Sequence, residues 1–187
     1  MQRRNVAETT DEQLIQAVAE GDLDAFEEIV LRYRHLAWKT VHRFLGDSME
    51  AEDVAQDVFL KVLEAAPRYR PTASFRTYFY SILTHLCIDY LRKGRPTCVD
   101  DIPDIPDPST GPAENLIASE RDAQVRDALN TLPPNQKAAI VLRHYEGLSY
   151  LDISKILGAT PKAVEMLIRR ARTALRSRLV DKRDENP

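Results

Sequence analysis

Cysteine is scarce in this chain, with Cys87 and Cys98 the only two. A structural disulfide is not expected in a cytosolic protein. His85, Cys87 and Cys98 match no usual zinc spacing and lack an evident fourth ligand, so no metal is expected. Glycine is also sparse, at six residues. No segment alternates apolar with polar residues for long, which leaves helix as the dominant pattern. No apolar run approaches the length that crosses a bilayer. The start, MQRRNVAETTDEQ, has basic residues but no apolar stretch behind them, so it is no secretory signal. A cytoplasmic protein without membrane insertion is expected. No Gly-rich phosphate loop, metal cluster or Ser-His-Asp pattern appears, which argues against an enzyme and against a cofactor. Net positive charge is missing too. There are 26 basic against 29 acidic side chains, a formal charge of −3. That balance counts against a protein that holds nucleic acid tightly by itself.

The charge is unevenly spread. Acid gathers at Asp22 to Glu28, Glu50 to Asp57 and Asp100 to Asp107, and base at Arg169 to Arg178 and Arg92 to Arg95. A local basic surface can bind DNA although the whole molecule repels it, as suits a protein that a partner delivers to DNA. The basic end belongs to the most informative stretch, GLSYLDISKILGATPKAVEMLIRRARTALRSRL, which reads as a helix-turn-helix. Ser149 caps the first helix, with Asp152 at the capping-box position. Gly158 ends it. Thr160 caps the second, and Pro161 sits where a missing N–H costs nothing. At about 100° per residue, Val164, Leu167, Ile168, Ala171 and Leu175 form an apolar back. Lys162, Glu165, Met166, Arg169, Thr173 and Arg176 form the front, flanked by Arg170 and Arg172. Such a face is either a solvated surface or a reader of the DNA major groove.

The rest divides into two helical modules. Thr10, with Gln13, opens a first helix. Asp22 caps a longer one with a core stripe at Phe26, Ile29, Val30, Tyr33, Ala37, Val41 and Phe44, closed by Gly46. Ser48 is expected to cap the third, MEAEDVAQDVFLKVLEAA. Its inner face is Val54, Val58, Phe59, Val62 and Leu63. Asp53, Gln56, Asp57, Leu60 and Glu64 point away. That acidic face with one exposed leucine is either plain surface, which periodicity favours, or a docking site for a basic partner. A fourth helix follows, SFRTYFYSILTHLCIDYLRK. Phe75, Phe79, Ile82, Leu83, Leu86 and Tyr90 are expected inward. Arg76, Tyr80, Ser81, Thr84, His85, Ile88 and Arg92 are expected wholly or partly outward. The mixture of aromatic and basic groups suits a core helix or stacking on unpaired bases. A Pro- and Asp-rich stretch, RPTCVDDIPDIPDPSTGP, reads as a flexible acidic linker. Beyond it, AENLIASERDAQVRDALNTL and NQKAAIVLRHYEG are two further helices. In the second, Ala139, Ile140, Leu142 and Tyr145 can pack. The expected fold is all-α, with two small helical domains at 10–94 and 113–180, a linker at 95–112 and a polar tail at 181–187.

This order of parts resembles a group IV (extracytoplasmic function, ECF) sigma factor of bacterial RNA polymerase, from about Asp11 to Leu179. DAFEEIVLRY, AEDVAQDVFLKV, SFRTYFYSILTHLCIDYLRK, TLPPNQKAAIVLRHYEGLSYLDISKILG and VEMLIRRARTALR carry the likeness through their order and spacing. The resemblance implies that the first module binds core RNA polymerase and the −10 promoter element, and the second the −35 element. It assigns core binding to Asp53, Gln56, Asp57 and Leu60. It assigns −10 DNA to Arg76, Tyr78, Tyr80, Ser81, Thr84 and His85, and −35 DNA to Lys162, Glu165, Met166, Arg169, Arg170 and Arg172. An anti-sigma factor is the further partner it implies. The sequence departs from the family at His85, where many members carry Asn. It departs again at Glu165, Met166 and Leu167, which replace a commoner basic-Ser-Arg run. The alternative is a dimeric helix-turn-helix regulator acting without polymerase. The first module offers no heptad seam for such a dimer.

Overall fold

The computed structural model describes residues 9–70, 73–93 and 123–184, and every regular element among them is helical. They are α1 (Asp11–Ala19), α2 (Leu23–Leu45), α3 (Ser48–Ala65), α4 (Phe75–Lys93), α5 (residues 123–130), α6 (Pro134–His144), α7 (Tyr150–Leu157) and α8 (Pro161–Asp184). None of these helices is long and apolar enough to cross a membrane. The acidic linker and the first ten residues of the expected domain at 113–180 lie outside the described residues. α8 continues to Asp184, through the first part of the expected polar tail.

Local chemistry starts and stops the helices as the sequence suggests. Thr10 and Gln13 form a reciprocal capping box on α1, satisfying two N–H groups that the helix itself cannot. The Asp22 carboxylate accepts from the Ala25 N–H at 3.1 Å. Gly46 ends α2 with φ +80°, a conformation any Cβ would strain. The third cap differs from expectation. Asp47, not Ser48, caps α3, its Oδ1 accepting from the Glu50 N–H at 2.9 Å. Both residue types serve as caps, and the one with extended backbone takes the role.

The first module packs α1, α3 and α4 around α2. Ile29, Ala37, Val41, Phe44, Val58, Val62, Phe75, Phe79 and Leu83 are fully buried. Tyr33 meets Phe75 edge-on at 5.3 Å and Phe79 at 4.7 Å. Each such aromatic contributes about 1.5–3 kcal/mol through burial. Asp11 ties α1 to α2, accepting from the Tyr33 hydroxyl at 2.6 Å and from Arg32 at 2.9 Å. Glu12 accepts from the Phe75 N–H at 2.9 Å, placing negative charge at the N-terminus of α4, where the helix dipole favours it. In the second module α6, α7 and α8 pack on one another, around Ile140, Leu142, Ile153, Ile156, Val164, Ile168 and Ala171. Tyr145 is a correction to the expected core. It is 46% exposed, with the Arg43 guanidinium 4.5 Å above its ring.

The two modules share one apolar core. α7 lies on α4, and α6 touches both α2 and α4.

Candidate nucleic-acid interface

The helix-turn-helix is built by its own caps. The Ser149 hydroxyl accepts from the Asp152 N–H at 3.0 Å and donates to the Asp152 carboxylate at 2.5 Å. Gly158, at φ +60°, lets the chain turn out of α7. Thr160 then accepts from the Ala163 N–H at 3.2 Å and starts α8. Val164, Ile168 and Ala171 anchor the back of α8 in the core. Lys162, Glu165, Arg169 and Arg170 stand exposed on the other side, as expected, while Met166 is half-buried. Arg169 donates to the Met166 sulfur at 3.4 Å. Arg172 is also exposed but already engaged. Its guanidinium reaches His144 Nε2 on α6 at 3.0 and 3.2 Å. Burial first, then the charges of Arg172 and Arg143, push the His144 pKa down, which keeps the imidazole a neutral acceptor. α8 therefore offers a basic, hydrogen-bonding front on a fixed back, suited to phosphates and base edges.

On α3 the structure separates two faces. Val54, Val58 and Val62 are buried, whereas Asp53, Gln56, Asp57 and Leu60 are exposed. Leu60 is 56% exposed, an apolar centre within an acidic rim.

α4 departs from expectation. Arg76 and His85 are exposed, and Ser81 and Tyr78 are half-buried. Tyr80, Thr84 and Ile88, expected outward, are buried. Thr77, Tyr80, Thr84 and Ile88 fall on one stripe at helical spacing, and α6 and α7 of the second module pack against this helix. Thr77 reaches Asp152 at 3.4 Å, and the Tyr80 hydroxyl donates to the Glu146 carboxylate. His85 turns back on its own helix, its Nδ1 2.7 Å from the Ser81 carbonyl. Of the three groups weighed as metal ligands, His85 is exposed, Cys87 is buried, and Cys98 lies outside the described residues. Burial pushes the Cys87 thiol pKa up, away from the thiolate.

Glu146, which sequence reasoning missed, is the polar centre of the module junction. It is 7% exposed. Its carboxylate accepts from Tyr80, from Thr40 Oγ1 at 2.8 Å and from Arg43 at 3.3 Å. Its backbone carbonyl accepts from Arg76 at 2.7 Å. Nearby, Lys137 is 1% exposed and donates to the Phe44 carbonyl at 2.5 Å and to Asn130 at 2.7 Å. It thereby caps the end of α2 from the other module. A charged residue within the apolar run of α6 is the one signal that pointed to such a bond.

Comparisons with known proteins match this architecture in both halves. Residues 29–97 match the family model Sigma-70 region 2, and residues 122–175 match Sigma-70, region 4. The chain belongs to the ECF sigma factors. It is 33% identical to the ECF RNA polymerase sigma-E factor of Escherichia coli K12, over 89% of this chain and 92% of that one. It is 32% identical to the RNA polymerase sigma-H factor of Pseudomonas aeruginosa, over 88% and 91%. Among solved structures, CnrH in complex with the cytosolic domain of CnrY is similar, with a TM-score of 0.70 and 27% identity over 92% of this chain and 97% of that chain. In this sigma factor the α4 stripe and Glu146 join the region 2 half to the region 4 half, and the basic front of α8 belongs to region 4.

Proposed function

We propose that this ECF sigma factor binds core RNA polymerase through Asp53, Gln56, Asp57 and Leu60 and directs it to promoters. Its −35 contacts are Lys162, Glu165, Met166, Arg169, Arg170 and Arg172. Its −10 contacts are Arg76, Tyr78, Tyr80, Ser81, Thr84 and His85. The protein works by binding rather than by catalysis, in the cytoplasm. An anti-sigma protein is the regulatory partner that the family resemblance suggests, and the CnrH–CnrY complex is a structural parallel. The observation that carries this reading is the exposed basic front of α8 at the end of a capped helix-turn-helix. The exposed acidic face of α3 around Leu60 supports the core-binding half, since such a rim favours a basic partner. Tyr80 and Thr84 serve the −10 role only once the second module has left α4.

Reconstitution tests the proposal. The purified chain is mixed with core polymerase and a genomic promoter library, and the transcripts are sequenced. Discrete start sites that depend on the added chain support it. Duplex binding without polymerase, and no transcripts with it, favours the regulator reading.

A further inference from the structure

Four donors from the first module converge on one residue of the second. Thr40 and Arg43 come from α2, and Arg76 and Tyr80 from α4. All four take acceptor oxygens of Glu146, three of them on the carboxylate. Arginine, threonine and tyrosine are the donor types that proteins commonly turn toward nucleic-acid phosphates. Arg76 and Tyr80 belong to the proposed −10 surface, and their ring and guanidinium lie 5.6 Å apart. The cluster is thus an anion site at the edge of that surface, with a carboxylate from the same chain seated in it.

We propose that Glu146 is an internal competitor of promoter DNA. It occupies a phosphate-binding cluster of Thr40, Arg43, Arg76 and Tyr80 and holds the second module over the −10 face. This inference rests on the function proposed above, and it adds Thr40 and Arg43 to the DNA-contacting set. Around the cluster the junction is tightened by Lys137 on the Phe44 carbonyl, by Thr77 on Asp152 and by Arg43 over Tyr145.

The chemistry of the junction makes it reversible. A buried carboxylate needs nearly all its partners to offset the loss of water, so the closed form is weakened when any of them is lost. On opening, Glu146, Thr40 and Tyr80 meet water again, and the donors are free for another anion. A purely apolar contact would offer no such exchange. The apparent affinity of the free chain for DNA is lowered by the fraction of molecules that are closed.

The test uses the full chain without polymerase, as wild type, Glu146→Ala and Glu146→Gln. Circular dichroism checks folding. Small-angle scattering reads the radius of gyration. Fluorescence anisotropy reads binding to a random-sequence pool of short single-stranded DNA. Glu146→Ala is expected to expand the chain and tighten DNA binding by about tenfold or more, by raising the open fraction. Glu146→Gln keeps the shape but removes the charge, and is expected to do the same to a smaller degree. It carries the test if the alanine variant fails to fold. Adding Arg43→Ala to either variant is expected to weaken the DNA binding and lower the log–log salt slope by about 0.7, one lost phosphate contact on a single strand. Unchanged dimensions in a folded variant overturn the proposal. Expansion without tighter DNA binding overturns it equally. Transcription with core polymerase is scored separately. Its absence from wild type and variants alike refutes the sigma-factor function, while scattering and DNA affinity judge the competitor.

Discussion

The Tyr80 hydroxyl donates to the Glu146 carboxylate across 66 positions of sequence, joining the helix assigned to one promoter element to the turn before the helix-turn-helix. Both residues are buried. A tyrosine assigned to DNA is thus committed to protein while the modules are together.

Tyr80→Phe leaves the ring and removes the donor. Glu146 keeps Thr40 and Arg43 but loses one of three carboxylate partners. A loss of about 1.5–3 kcal/mol in unfolding free energy is expected, the usual worth of a bond to a charged group. Urea denaturation checks it. A change inside ±0.5 kcal/mol would show that the bond carries little weight.

Lys137→Met retains the packed stem and deletes the ammonium. The Phe44 carbonyl then loses that donor, at an expected cost of about 1–3 kcal/mol. Lys137→Ala adds a cavity and is expected to cost more. Comparison of the two variants by chemical unfolding separates packing from hydrogen bonding.

Alkaline pH is expected to destabilise the protein in a defined direction. Burial first, then the hydrogen bond to Asp11, raises the Tyr33 pKa far above its ordinary value of 10.0. Burial and the bond to Glu146 do the same for Tyr80. Above pH 10 the unfolded chain releases tyrosine protons that the folded chain keeps. The contribution of these groups is therefore constant below about pH 10 and lost as the pH climbs toward the folded values. Unfolding curves from pH 8 to 11.5, about the accessible range, are expected to show this fall, and Tyr33→Phe to lessen it. A rise in stability over the same range would refute the assignment.

Asp53→Ala combined with Gln56→Ala alters only exposed side chains of α3. Stability is expected to stay within about 0.5 kcal/mol. Affinity for core polymerase is expected to fall about tenfold, which is about 1.4 kcal/mol. Competition with a labelled sigma factor measures it. Full affinity would move the core-binding surface elsewhere.

Arg169→Ala removes an exposed cation from the front of α8. Promoter output is expected to fall while core binding holds. A base contact would cost about 1–3 kcal/mol at one promoter position, whereas a phosphate contact would weaken all promoters alike and lower the salt slope by about 1. Transcription from a mutated −35 library separates the two. Unchanged output removes Arg169 from the contact set.

Where a structural cause is local, the sequence shows it. The caps at Thr10, Asp22, Ser149 and Thr160 rest on bonds spanning three residues, and each was legible. So were the faces of α3 and α8, each of which pairs a buried face with an exposed one. α4 is covered on two sides, and a helix of that kind carries no clean stripe. Its second buried face, at Tyr80, Thr84 and Ile88, therefore looked like surface. Glu146 was illegible for a related reason. A glutamate in a turn between helices usually faces water, and Thr40, one of its partners, lies 106 positions away. Periodicity holds no record of such a pair.

The packing of α7 on α4 sets a length. Neighbouring helix axes lie about 8–10 Å apart, so α8, which packs on α7, sits roughly two such spacings from α4. Taken as their names number them, the −10 and −35 elements are roughly 25 base pairs apart, about 85 Å at 3.4 Å each. In this arrangement the chain is a folded ruler, several times too short for the distance it is proposed to span, and grasping both marks at once requires it to unfold at the α4–α7 joint.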